Sequence, residues 1–124
     1  MARRRALVLE DDVALRDLLL ETFASENFEV RTCETFEEVR AAAARAEADV
    51  IIADFWGSSQ RTLSQSDSDD IRQLCSYLPV ILLTGRSWAS ETTAEELGAR
   101  ALIRKPFDLD DLLQTIEQVV QHQE

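Results

Sequence analysis

Short apolar runs alternate along this chain with longer stretches in which apolar residues recur every three or four positions. The runs Ala6-Leu7-Val8-Leu9, Val50-Ile51-Ile52-Ala53, Val80-Ile81-Leu82-Leu83 and Ala101-Leu102-Ile103 are apolar at every position. They are too short for buried helices and lack the alternation of a half-solvated strand, which is the signature of strands covered on both faces. Between them, Leu15, Leu18, Leu19 and Phe23 fall at helical spacing, as do Leu109, Leu112, Leu113, Ile116 and Val120 near the end, so each set predicts one buried helical stripe. The alternation predicts five βα units around a parallel sheet. Strands are expected at about 5–10, 28–33, 49–54, 79–84 and 100–104, and helices at about 13–25, 35–47, 67–77, 87–97 and 108–121. Segment 57–69 carries a single large apolar residue among Ser, Gln, Asp and Gly and is predicted to be a mobile loop.

This pattern gives the polar residues at the strand ends their interest. Glu10-Asp11-Asp12 follows the first run, Asp54 closes the third, Thr84 closes the fourth, and Lys105-Pro106 follows the fifth. In an open parallel sheet the carboxyl ends of the strands share one edge, where ligands bind. That edge would gather carboxylates, a hydroxyl and an ammonium. Asp12 alone would be read as a cap of the first helix, with Glu10 and Asp11 favouring its positive end. Adding Asp54 changes the balance, because like charges brought to about 4 Å repel by roughly 4 kcal/mol at an effective dielectric of 20. A cation removes that penalty. An all-oxygen donor set suits a hard ion such as Mg²⁺ and disfavours soft metals.

Composition narrows the classes of function. The 124 residues carry 13 Lys and Arg against 24 Asp and Glu, a net charge of -11. Such a balance argues against a polyanion partner and direct nucleic-acid binding. Arg3-Arg4-Arg5 is too short to reverse it, and no apolar run approaches the ~20 residues that span a bilayer. A single domain over residues 1–124 is expected, cytoplasmic, with output through its own surface. Cys33 and Cys75 lack metal-ligand spacing and read as free, mostly buried thiols.

From about residue 5 to residue 121 the chain resembles the receiver domains of two-component response regulators. The resemblance rests on Leu7-Val8-Leu9-Glu10-Asp11-Asp12, Ala48-Asp49-Val50-Ile51-Ile52-Ala53-Asp54, Pro79-Val80-Ile81-Leu82-Leu83-Thr84-Gly85, and the stretch Leu97-Gly98-Ala99-Arg100-Ala101-Leu102-Ile103-Arg104-Lys105-Pro106-Phe107. The four elements occur in order and at fitting separations. The resemblance implies a flavodoxin-like (βα)5 three-layer sandwich with a five-stranded parallel sheet of strand order 2-1-3-4-5.

It also implies roles. Asp54 would accept a phosphoryl group from a histidine kinase or a histidine phosphotransfer protein. Mg²⁺ would be held by Asp11 directly, by Glu10 partly through water, by Asp54, and by the backbone carbonyl of Trp56. Lys105, the Thr84 hydroxyl and the Gly85 amide would surround the phosphoryl oxygens, with the inward turn of Thr84 as the switch, and the Lys105-Pro106 bond would be cis. Such a domain is a signalling phosphoacceptor that catalyses only its own phosphorylation and dephosphorylation. Its 87–121 face would recognise an unidentified downstream protein and offers a surface for a homodimer, while Leu15 and Leu18 resemble the surface offered to the kinase.

Three departures from the family pattern bear on mechanism. Leu102 stands where an aromatic switch partner is usual, and Phe55-Trp56-Gly57-Ser58-Ser59 replaces the usual turn after the acceptor. Trp56 and Arg86, two positions beyond Asp54 and Thr84, are large; they would either shield the phosphoryl group and slow its hydrolysis, or be an exposed loop Trp and a solvated Arg. Trp88 is a candidate docking or core residue, and His122 reads as tail. Glu91, Glu95, Glu96, Asp108, Asp110 and Asp111 form an acidic set that fits either a partner surface or a solvated face.

Two other readings stand beside this one. A pseudo-receiver would keep the fold and bind a partner without phosphorylation, which the Leu102 and loop departures favour. A phosphatase of the haloacid dehalogenase type would want a second Asp two residues after Asp54, where Trp56 stands.

Overall fold

The computed structural model describes residues 4–10, 12–54, 65–84, 93–105 and 107–121, and in them five strands and five helices alternate. They are β1 (Arg4–Leu9), α1 (Val13–Ser25), β2 (Phe28–Cys33), α2 (Phe36–Ala44), β3 (Val50–Asp54), α3 (Gln65–Tyr77), β4 (Val80–Thr84), α4 (Ala94–Leu97), β5 (Ala101–Arg104) and α5 (Leu109–Gln121). The strands form one parallel sheet in the order β2-β1-β3-β4-β5, as expected. The order changes direction between β1 and β3, whose following helices α1 and α3 pack on opposite faces of the sheet, the place where open parallel sheets bind ligands.

Because strand side chains alternate between faces, the apolar runs supply two cores. Leu7, Leu9, Ile51, Ala53, Val80 and Leu82 point to one face and pack with Val39, Ile71, Leu74 and Leu97 of α2, α3 and α4. Ala6, Val8, Val50, Ile52, Ile81 and Leu83 point to the other and pack with Leu19, Phe23, Leu112 and Ile116 of α1 and α5. The inner strand β3 is buried along its whole length. Such burial contributes about 1.5–3 kcal/mol for each large aliphatic side chain, which is why the central strands hold the strand ends in fixed positions.

Four sequence expectations need correction. The predicted loop 57–69 becomes helical from Gln65 onward. Its acids are helix-start residues, with Asp67 in the first turn where the dipole favours negative charge, and Gln65 donates to Asp69 at 2.8 Å one turn on. Of the helix predicted over 87–97, residues 87–92 lie outside the described residues; Thr93 is not helical but an extended N-cap whose hydroxyl accepts from the Glu96 N–H, with the helix running from Ala94. The second helix stops at Ala44 rather than 47, since Ala46 adopts φ 53°, a left-handed conformation that ends helices. Finally, Leu18 is 44% exposed. Leu15, Leu19 and Phe23 share the inner face at four-residue steps, and Leu18 lies off it.

Arg4 and Arg5 of the basic cluster at the start are both paired with acids. Arg4 bonds Glu117 of α5 at 2.7 Å, and the Arg5 N–H donates to Asp49 at 2.8 Å while the Arg5 carbonyl accepts from the Asp49 N–H. Arg3 lies outside the described residues. Cys33 and Cys75 are free; Cys33 is buried and Cys75 half-buried, and burial pushes the Cys75 thiol up to about 11. None of the described helices is long and apolar enough to cross a membrane.

Candidate functional site

The register of the sheet brings the strand-end polar residues together. Leu9 pairs with Ala53, so Glu10 and Asp54 are the next residues on adjacent strands. Asp54 pairs with Leu83, one residue before Thr84, and Thr84 pairs with Arg104, one residue before Lys105. The Lys105 N–H donates to the Thr84 carbonyl at 2.9 Å, continuing the ladder past the last strand. Backbone pairing, set by the apolar runs, thus fixes where each functional side chain starts.

Lys105 Nζ donates to Asp54 Oδ2 at 2.6 Å and lies 3.7 Å from Glu10 Oε2. Glu10 is fully buried, Asp54 is 8% exposed and Thr84 1% exposed. Glu10 Oε1 accepts from the Asp12 N–H at 3.0 Å, whereas Oε2 is buried with no hydrogen-bond partner. Burial, and then the neighbouring Asp54 carboxylate, push the Glu10 carboxyl from its ordinary 4.5 up to about 7, although the Asp12 N–H and Lys105 pull the other way. One ammonium shared by two carboxylates, one of them with an unsatisfied buried oxygen, is a site one positive charge short of neutrality.

Mg²⁺ fits this deficit. The donors are all oxygen, the buried Glu10 Oε2 lacks a hydrogen-bond partner, and a divalent ion relieves the acid pair. Among the described residues no three His, Cys, Asp or Glu cluster closely enough to hold a metal. The further expected ligands, Asp11 and the Trp56 carbonyl, lie outside the described residues, as do Gly85, Arg86, Trp88, Glu91, His122 and the Lys105-Pro106 bond.

Of the remaining expected residues, Leu102 is half-buried against the core between the sheet and α2, α3 and α4. With Thr93, Ala94 and Arg104 it lines a surface cavity of about 230 Å³. Glu95, Glu96, Asp108, Asp110 and Asp111 are exposed on or beside α4 and α5. Val13 and Leu18 of α1 are exposed apolar residues, 56% and 44%. Asp12 caps α1, its Oδ1 accepting from the Leu15 N–H at 3.2 Å. Sequence reading assigned this cap but missed the Asp12 N–H on Glu10; an acid two residues before an N-cap is the signal that could have suggested it.

Comparison with known proteins gives a consistent outcome. The family profile of the response regulator receiver domain matches residues 6–117. The DNA-binding transcriptional regulator NtrC of Salmonella typhimurium is 32% identical over 98% of this chain, and the chain spans only 26% of that relative. A beryllofluoride-activated NtrC receiver domain, solved in solution, superposes with a TM-score of 0.70 at 28% identity, covering 100% of this chain and 99% of that one. A CheY-like receiver domain protein from Methanospirillum hungatei superposes with a TM-score of 0.79 at 22% identity, covering 98% and 97%. The latter likeness speaks to the fold alone.

Proposed function

The chain belongs to the receiver domains of two-component response regulators, and from that membership and the crevice geometry we propose that Asp54 accepts a phosphoryl group from a histidine kinase or histidine phosphotransfer protein. The observation that carries this reading is the convergence of Asp54, Glu10 and Lys105, with Lys105 Nζ 2.6 Å from Asp54 Oδ2 and Glu10 Oε2 left without a hydrogen bond. An Asp54 oxygen attacks phosphorus as the phosphorus–nitrogen bond of the donor phosphohistidine breaks, and the imidazole leaves with that electron pair. The product is an acyl phosphate on Asp54. Glu10, Asp11, Asp54 and the Trp56 carbonyl would hold Mg²⁺, which when bound spreads the charge on the transferring group.

Lys105 has two roles in sequence. It first neutralises the bare acceptor; after transfer, its ammonium moves from the carboxylate to a phosphoryl oxygen, a charge-assisted contact. Thr84, joined to Lys105 through its carbonyl, donates its hydroxyl to another phosphoryl oxygen, with the Gly85 amide beside it. The beryllofluoride-activated NtrC neighbour supports such a pocket here, because beryllofluoride on a carboxylate has the tetrahedral shape of a phosphoryl group.

Phosphorylation then selects between arrangements of α4, β5 and α5. Here Leu102 fills the space beside β4 as an aliphatic group, so the readout depends on backbone and helix position rather than on a rotating ring. Trp56 and Arg86 shield the phosphoryl group and slow its hydrolysis. The 87–121 face meets the downstream protein and is also where a homodimer would form, and the domain works in the cytoplasm.

Intact mass after incubation with Mg²⁺ and acetyl phosphate tests this reading. One added phosphoryl group on the wild type and none on Asp54→Asn is the expected result. No adduct on folded wild type, from acetyl phosphate or a histidine kinase, would leave a phosphorylation-independent binding module as the better account.

A further inference from the structure

The second residue after Glu10 performs two tasks with two different parts. The Asp12 side chain faces the helix: Oδ1 accepts from the Leu15 N–H at 3.2 Å, while the Asp12 carbonyl accepts from the Arg16 N–H at 2.8 Å. The Asp12 N–H faces the crevice and donates to Glu10 Oε1 at 3.0 Å. These are compatible because Asp12 has φ -78° and ψ 112°, the extended conformation of an N-cap, which turns the N–H away from the helix it starts. That N–H satisfies Glu10 Oε1, while Oε2 is buried with no hydrogen-bond partner. It therefore decides which oxygen of Glu10 is satisfied and which is left open.

We infer that Asp12 is a positioning residue for the metal site. Its carboxylate locks the first turn of α1, the locked turn keeps its N–H on Glu10 Oε1, and Glu10 Oε2 is thereby presented to the cation. On this account Asp12 is not itself a ligand, and its charge is secondary to its capping oxygen. The inference rests on the reading of the crevice as a Mg²⁺ site. It extends that reading by tying metal affinity to the anchoring of α1, the helix that carries the exposed Val13 and Leu18.

The consequence separates cap from charge. Asn and Ser cap helices about as well as Asp, whereas Ala does not, and all three replacements remove the charge. Calorimetric titration of the full chain with MgCl2 is expected to give Asp12→Asn and Asp12→Ser dissociation constants within about twofold of wild type. Asp12→Ala is expected to bind about tenfold more weakly, as when a hydrogen bond that orients a ligand is lost. Hydrogen exchange at the residue 12 amide, followed by NMR without metal, should stay slow in Asp12→Asn and become fast in Asp12→Ala.

Equal weakening by Asn and Ala would overturn the inference in favour of a direct or purely electrostatic role. Unchanged affinity or unchanged exchange in Asp12→Ala would overturn it as well. If Asp12→Ala does not fold, the Asn variant still decides, since any marked loss there contradicts capping. Wild type that takes up no Mg²⁺ would instead overturn the metal reading itself.

Discussion

Replacing Glu10 by Gln should stabilise the metal-free protein at alkaline pH, although it removes a buried side chain that is part of the site. Burial and Asp54 raise the Glu10 carboxyl from 4.5 to about 7 in the folded chain. Between those values the folded protein holds a proton that the unfolded chain has released. Stability therefore falls as pH rises: the contribution is fully present below pH 4.5 and gone above pH 7. At about 1.4 kcal/mol per unit, the ionised Glu10 opposes folding by roughly 3 kcal/mol at pH 8. Glu10→Gln removes that charge and introduces an amide whose N–H groups need partners, at about 1–3 kcal/mol. This second term is independent of pH. The difference between the variant's effect at pH 8 and at pH 5 isolates the carboxylate, and it should be about 2–3 kcal/mol in favour of Gln at pH 8. Urea unfolding in EDTA at the two pH values measures it, with the slope unchanged. Excess Mg²⁺ should reverse the order at pH 8, because the wild type gains more from the ion. An effect of Glu10→Gln that is the same at both pH values would refute the reasoning, since no charge would then be under strain.

Lys105→Met leaves Glu10 and Asp54 facing each other without their shared cation; urea unfolding without metal should show a loss of about 3 kcal/mol at pH 8, the scale for breaking a buried pair, and a smaller loss at pH 5. Ala46→Gly should raise stability by about 0.5–1 kcal/mol, read as a higher urea midpoint at unchanged slope, because Ala46 is held at φ 53° where a Cβ is strained and glycine is not. Cys33 and Cys75 should react with a thiol reagent at pH 8 only in step with unfolding, since burial raises both thiols, that of Cys75 to about 11; rapid labelling of the native protein would contradict their packing.

The sheet was legible because β1, β3, β4 and β5 each carry a run that is apolar at every position, and its two cores follow from strict alternation within those runs, as Leu7 and Leu9 against Ala6 and Val8 illustrate. The convergence of Glu10, Asp54 and Lys105 was legible for the same reason: parallel pairing carries each to one edge. What periodicity missed were the local decisions. Residues 65–69 look like loop by composition, yet Ser and Asp are also what a helix start prefers. Thr93 and Ala46 set helix ends through caps and a left-handed residue, features that a 3.6-residue repeat does not register. Leu18 has the apolar character of its neighbours but the wrong angle around α1. The Asp12 N–H on Glu10 was missed because its donor belongs to the backbone, and the sequence marks it only indirectly, through an acid two residues before an N-cap.

The central claim is that Asp54 is the residue that becomes an acyl phosphate. Acyl phosphates are reduced by borohydride to the alcohol, which would convert that aspartate to homoserine in a peptide map. After incubation with Mg²⁺ and acetyl phosphate, the account predicts homoserine at position 54 and nowhere else, with none when EDTA replaces Mg²⁺. Homoserine at position 11 or 12, reduction of the Glu10 side chain, or no reduction at all in protein that carries a phosphoryl group, would contradict it.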